Sequence, residues 1–309
     1  MKRILALILA LLMIFSVAFG VVSCNSGEGA QTDAPTDVPT EPPTDAPTEK
    51  NTEKKTEKST ANADTRPELS VLFIGNSYTY YNSLASIFRT LAAKAGYRVK
   101  VTEITKGGYT LEKFADPSDA EGKRVADALD EKNAGKYDFV ILQEQSKRPA
   151  LDGGRNKFYD ATRSLCERIR AIGAEPILYS TWSRKEGSED LGAEGWTVED
   201  MTWRLDAAYS AIGEELGVKV AHVGLAFFEV IGKSPETELY NADKTHPSAT
   251  GSYLAAATII ATMLGLDPSE IEYTLEDGED IKAILDAAAY NATVNTPDIP
   301  EEYVTQTNK

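Results

Sequence analysis

Five short runs rich in apolar residues divide the chain: Val71–Ile74, Val99–Ile104, Phe139–Leu142, Pro176–Tyr179 and Val218–Val223. Between and after them lie stretches of helical periodicity at about 83–96, 120–133, 156–173, 198–216 and 249–265. The runs lack strict polar alternation, as strands do when both faces are covered in a parallel sheet. Helical connections of this length suit right-handed crossovers between parallel neighbours. The pattern predicts an α/β domain over residues 68–295, a three-layer α/β/α sandwich around a mainly parallel five-stranded sheet. Open sheets of this kind bind ligands at the carboxyl ends of their strands. One rim should therefore collect "GNSYT", "KGGYT", "QEQSKRP", "STWSR" and the stretch from "GLAFFEV" to "NADKTHPSATGSYLAA".

The residues before this domain are of a different kind. Lys2 and Arg3 precede an almost wholly apolar run from Ile4 to Val22, which ends in "VVSC". A cationic start followed by such a run reads as an export signal over residues 1–23. The branched aliphatic, Ser23 and Cys24 resemble the lipobox of bacterial lipoprotein signal peptides. That resemblance implies cleavage before Cys24, acylation of Cys24 and an extracytoplasmic chain anchored to the cell membrane through its lipid. The alternative is an uncleaved transmembrane anchor, since the run is nearly long enough to span a bilayer. Residues 24–67 carry Thr at 32, 36, 40, 44, 48, 52 and 56 with Pro early and Lys and Glu late. They offer almost nothing to bury, so a disordered tether is expected there. A polar tail at 296–309 is expected to be disordered as well.

Charge and cysteine usage narrow the partners. With 48 acidic and 32 basic residues the net charge is −16, the wrong sign for a phosphate-binding surface, which argues against nucleic acid. The two cysteines are Cys24 and Cys166, so acylation of Cys24 leaves no disulfide. Cys166 lies in "FYDATRSLCERIRAIG" with Phe158, Leu165, Ile169 and Ile172 at helical spacing, which makes it a buried helix residue. Two histidines and one unacylated cysteine argue against a zinc site, and "KGGYT" lacks the ending of a phosphate loop. No cofactor is expected.

The rim segments carry chemistry. Alone, Gly75-Asn76-Ser77 reads either as a helix cap in a tight turn or as a nucleophile at a strand end. Asp243 precedes His246 by three residues, close enough for a carboxylate to meet an imidazole nitrogen, and Pro247 keeps His246 extended before a helix. Together these residues resemble the SGNH (GDSL-type) hydrolase family. Its usual Gly-Asp-Ser block is matched by Gly75-Asn76-Ser77 and its Asp-x-x-His block by Asp243 to His246. Gly108 matches the glycine of the second block. In the third block, Gly-x-Asn-Asp, Gln143, Gln145 and Ser146 stand in place of glycine, asparagine and aspartate. "LFIGNSYTYYN", "VILQEQS" and "HPSATGSYLAA" together are similar to an exported bacterial subfamily with these variant blocks.

The resemblance implies a flavodoxin-like sheet and a Ser-His-Asp triad of Ser77, His246 and Asp243. It implies an oxyanion hole from the backbone amides of Ser77 and Gly108 and the side chain of Gln145, with Gln143 as a competitor. Substrate contacts are expected among Asn76, Glu144, Trp182 and His222. Simpler readings stand beside them: Glu144 in a polar network, Trp182 in packing, His222 at a strand end. A glycan or other ester is the expected substrate and carbohydrate O-acetyl removal the expected reaction. Two alternatives are carried: a lipid esterase or lysophospholipase, and a non-catalytic glycan-binding protein on the same fold.

Overall fold

The structure, a computed structural model, describes residues 65–307. The signal, Cys24 and all but the last residues of the expected tether lie outside the described residues. The first strand, β1 (Glu68–Gly75), shows why the sheet is buried on both sides. Val71 and Phe73 enter one hydrophobic cluster, Leu72 and Ile74 the other, and all four are fully buried. A short α1 (Ser77–Tyr80) and then α2 (Leu84–Lys94) lead to β2 (Arg98–Thr105). Two small helices, α3 (Leu111–Ala115) and α4 (Ala120–Ala128), precede β3 (Phe139–Leu142). The long α5 (Asp152–Ala171) returns the chain to β4 (Glu175–Tyr179). Next, α6 (Glu189–Glu194) and α7 (Val198–Leu216) lead to β5 (Lys219–Ala221). The chain closes with α8 (Val223–Lys233), α9 (Ala249–Leu264), α10 (Glu279–Val294) and α11 (Glu301–Thr307).

All strand pairings are parallel and the order is β2-β1-β3-β4-β5. Helices α2, α8, α9 and α10 pack on the face of Val71 and Phe73, whereas α3, α4 and α5 cover the opposite face. Ile74 is in register with Ile104 on one side and Leu142 on the other, so the three strands end level. The chain leaves β1 toward β2 and later returns past it to β3. That reversal opens a crevice at the carboxyl ends of β1 and β3, where a doubly wound sheet presents its ligand site. Gly75 ends β1 there, and a side chain is excluded: a Cβ would lie 2.2 Å from Thr79 Oγ1 and 2.6 Å from Gln143 Oε1.

The expected three-layer fold is the observed one, with three local differences. The fifth strand is shorter than Val218–Val223, because the chain turns into α8 directly after Ala221. "VGLAFFEVIGK" is itself a helix, and six of its residues are buried, which hides the usual one-sided periodicity. Part of the tail expected to be disordered forms α11, where Tyr303 is nearly buried and its hydroxyl donates to Asp200 on α7 at 2.8 Å. Tyr303 also receives the Arg204 guanidinium over its ring, so this short polar segment is tied to α7. Cys166 is buried on α5, as its spacing predicts. Among the described residues no helix is long and apolar enough to cross a membrane.

Candidate active site

In the Gly75-Asn76-Ser77 turn only the serine reaches solvent. Asn76 caps α1, its Oδ1 accepting from Tyr78 N at 3.2 Å, and its Nδ2 donates to Tyr109 O at 3.0 Å and Glu144 O at 3.4 Å. One buried amide thus ties together the loops that follow β1, β2 and β3. Both of its acceptors are carbonyl oxygens, so the aspartate usual in the family could not make these bonds.

The other half of the site rests on a small hairpin. Asn241 N donates to His246 O at 2.8 Å, Ser248 N donates to Leu239 O at 2.9 Å, and Lys244 turns the chain at φ 57°. Asp243 serves two purposes there. Its Oδ1 accepts from Thr245 N at 3.0 Å and His246 N at 2.9 Å, which closes the turn, and its Oδ2 lies 2.6 Å from His246 Nδ1. Burial pushes the Asp243 pKa up, but the bonds from the His246 ring and the two backbone amides outweigh it and leave the pKa below the usual carboxylate value. His246 Nε2 lies 2.8 Å from Ser77 Oγ. With Nδ1–H donating to Asp243, the Nε2 lone pair faces the serine hydroxyl.

Aromatic rings hold that histidine. Tyr81 stacks on it at 4.1 Å with 9° between planes, and Tyr78 meets it edge-on at 5.8 Å. Beneath, Trp182 is sandwiched between Tyr78 at 4.3 Å and Phe227 at 4.4 Å, and its Nε1 donates to Thr245 O at 3.1 Å. Trp182 is fully buried, so it buttresses the histidine loop and has no face to offer a sugar. Asn76 and Glu144 are corrected in the same way: both are buried with their polar atoms engaged within the protein. His222 forms its own pair with Asp206 on α7, Nδ1 to Oδ1 at 2.6 Å, and the ring facing Ser77 is that of His246.

The variant third block has a consistent internal logic. Gln143 is fully buried; its Oε1 accepts from Asn76 N and from Thr79 Oγ1, each at 2.8 Å, and its Nε2 donates to Glu144 O. Gln143, fully buried and held at both ends of its amide, does not reach the surface where Ser77 lies open, and the space its side chain fills is the space Gly75 leaves empty. Glu144 accepts from Leu111 N through both oxygens, at 3.2 and 3.1 Å, and from Gln145 N at 2.6 Å. Burial lifts its pKa to about 7 against these bonds and the nearby Arg148 charge. Gln145 is partly exposed. Its Oε1 accepts from Lys147 N at 3.2 Å and Arg148 N at 3.1 Å, and its Nε2 donates to Ser146 Oγ at 3.3 Å. One of its two amide hydrogens is free of that bond.

Arg184, Tyr81 and Asn82 were not singled out by sequence reasoning. Arg184 is nearly buried and donates to Ser146 Oγ at 2.9 Å, Tyr78 OH at 2.5 Å and Asp190 Oδ2 at 2.7 Å. It lies in the "STWSR" segment assigned to the rim, but an irregular loop gives no period from which burial could be read. Asn82 Nδ2 donates to Pro247 O at 2.8 Å and Ser252 Oγ at 2.9 Å, pinning the turn after α1 to the histidine loop. Gly108 sits in an exposed turn at φ 70°, where Tyr109 N donates to Lys106 O at 3.1 Å. A Cβ there would meet nothing, so glycine is favoured by the backbone conformation alone.

A carboxylate, an imidazole and a partly exposed hydroxyl in hydrogen-bonded series can move a proton off the hydroxyl and return it to a leaving group. No family model matches the chain, and no curated protein matches it. Among solved structures, a protein from Slackia heliotrinireducens assigned to the SGNH hydrolases is 32% identical, covering 63% of this chain and 99% of that one at a TM-score of 0.55. A DUF4886 family protein from Bacteroides uniformis, 19% identical, shares the fold at a TM-score of 0.62 over 76% of this chain and 98% of its own. With that fold, that relative and the block order from Gly75 to His246, the chain belongs to the SGNH (GDSL-type) hydrolase family.

Proposed function

We propose that this protein is a serine ester hydrolase that removes acyl groups, acetyl foremost, from a carbohydrate. The observation that carries the reading is the series Ser77 Oγ to His246 Nε2 at 2.8 Å and His246 Nδ1 to Asp243 Oδ2 at 2.6 Å. Ser77 Oγ attacks the ester carbonyl carbon as its proton passes to Nε2. The carbonyl oxygen becomes an oxyanion, which the backbone amides of Ser77 and Gly108 and the free Nε2 hydrogen of Gln145 stabilise. As the C–O bond breaks, His246 gives its proton to the leaving alcohol. A water, deprotonated by His246, then attacks the acyl-serine and releases the acid. Asp243 keeps the imidazole tautomer and stabilises the imidazolium without taking its proton.

The carbohydrate assignment is supported over a lipid one by the sequence of residues 68–295, which holds no long apolar lid segment. An extracytoplasmic position with a lipid on Cys24 belongs to the same proposal and would place the enzyme where polysaccharides are met. The test is turnover of p-nitrophenyl acetate and acetylated xylan by the full-length chain beside Ser77→Ala and His246→Ala. Each substitution should lower kcat by about 10³-fold or more. Unchanged turnover in either variant would sink the triad, and glycan binding without hydrolysis of any ester would favour the binding-protein reading.

A further inference from the structure

Beside the histidine loop lies a cleft of about 740 Å³, a volume suited to a ligand of several rings. Its near end is formed by Asn82, which follows the tyrosine stacked on His246, and by Ser248, two residues beyond the histidine. Its lining includes Tyr273, half-buried and packed on Tyr253 with ring centroids 4.9 Å apart. Asn82, which lines the cleft, and Ser83 after it both hold positive φ, 49° and 56°. Two successive non-glycine residues in that region are strained, and here the Asn82 bonds to Pro247 and Ser252 maintain them.

We propose that this cleft is the subsite for the alcohol portion of the ester, fitted to a neutral, hydroxyl-rich saccharide and selective against polyuronates and phosphorylated ligands. The inference rests on the esterase reading and deepens it. The leaving oxygen must take its proton from His246 Nε2, so the alcohol lies on the histidine side of the reacting carbon. Of the three proposed oxyanion donors, Gly108 and Gln145 come from the loops after β2 and β3, whereas His246 comes from the hairpin before α9. A chain attached to the leaving oxygen therefore passes Tyr81 and enters the cleft. Its lining includes Glu236, Glu238, Glu276 and Asp277 and no lysine or arginine. Glu236 is fixed by Ser234 Oγ at 2.6 Å, Asp277 by Thr250 Oγ1, and Glu238 by Tyr240 N at 3.0 Å and by Lys185. Held carboxylates accept from sugar hydroxyls, and their shared sign repels anionic polymers.

The experiment uses the full-length chain with three probes: xylohexaose for binding by calorimetry, and acetylated xylo-oligosaccharides and acetylated oligogalacturonides of equal length for kinetics. Xylohexaose should bind. The kcat/KM should favour the neutral ester by about tenfold or more at low salt. Tyr273→Ala should raise KM for the neutral ester by about tenfold with kcat retained, and Tyr273→Phe should recover it. The double change Glu236→Gln with Asp277→Asn should narrow the preference for the neutral polymer. Equal rates on both polymers, or an unchanged KM in Tyr273→Ala, would overturn the subsite. Xylohexaose binding that depends on Tyr273 in a chain inactive on every ester, p-nitrophenyl acetate included, would leave the cleft standing and remove the esterase reading instead.

Discussion

Asn76 and Gln143 stand where the family usually has aspartate and glycine, and the structure gives each a reason. The Asn76 side-chain amide faces the carbonyl oxygens of Tyr109 and Glu144 from a buried position. Restoring the family residue with Asn76→Asp would set a carboxylate against two carbonyls with no water to relieve it. The substitution should destabilise the fold by about 2 kcal/mol or more and lower p-nitrophenyl acetate turnover with it. Urea unfolding is the direct measurement, and a variant as stable as the parent would remove the three-loop role of this amide. Ser77 is simpler. Its neighbours Asn76 and Tyr78 are buried, and it alone keeps its hydroxyl at the surface beside His246.

At the scale of elements, Glu144 joins the end of β3 to the start of α3, since Leu111 N and Gln145 N both donate to its carboxylate. Its pKa is raised by burial from 4.5 to about 7. A raised acid pKa means that the folded state holds a proton the unfolded chain has already released. The contribution of Glu144 to stability is therefore full below about pH 4.5 and declines as pH rises toward 7. Relative to Glu144→Gln, the parent should lose about 1 to 3 kcal/mol across that window. A pH-independent difference between the two proteins would show that the carboxylate is not strained by burial. Elements were also the scale at which sequence was most informative. Phe139–Leu142 and Val198–Leu216 coincide with β3 and α7, because a doubly buried strand and a capped amphipathic helix each leave a period. The Asp243-x-x-His246 spacing and the Gly-Asn-Ser turn likewise pointed to three side chains that do meet. Trp182 and Arg184 were not legible in this way. Their burial depends on Phe227, Tyr78 and Asp190, partners on α8 and on the short helices α1 and α6, which are distant in sequence or too short to show a period.

For the whole molecule, the two faces of the sheet are closed by helices drawn from both ends of the described chain, so local opening should expose little of the core. Cys166, buried on α5, offers a probe, because burial pushes its thiol pKa up to about 12. Alkylation then requires an opening that frees the thiol. At pH 8 the Cys166 peptide should be modified about 10³-fold more slowly in the native protein than in urea, as followed by mass spectrometry. Rapid native labelling would show that α5 separates from the sheet without global unfolding. The spacing of the proposed triad along the chain has a further consequence for timing. Ser77 follows the first strand, whereas His246 lies 169 residues later and enters on the hairpin that precedes α9. A growing polypeptide therefore displays Ser77, the proposed nucleophile, long before His246, its proposed base, is made. On the proposed mechanism such a chain should stay inert toward esters until the hairpin that carries Asp243 and His246 has been made and has packed beside Ser77.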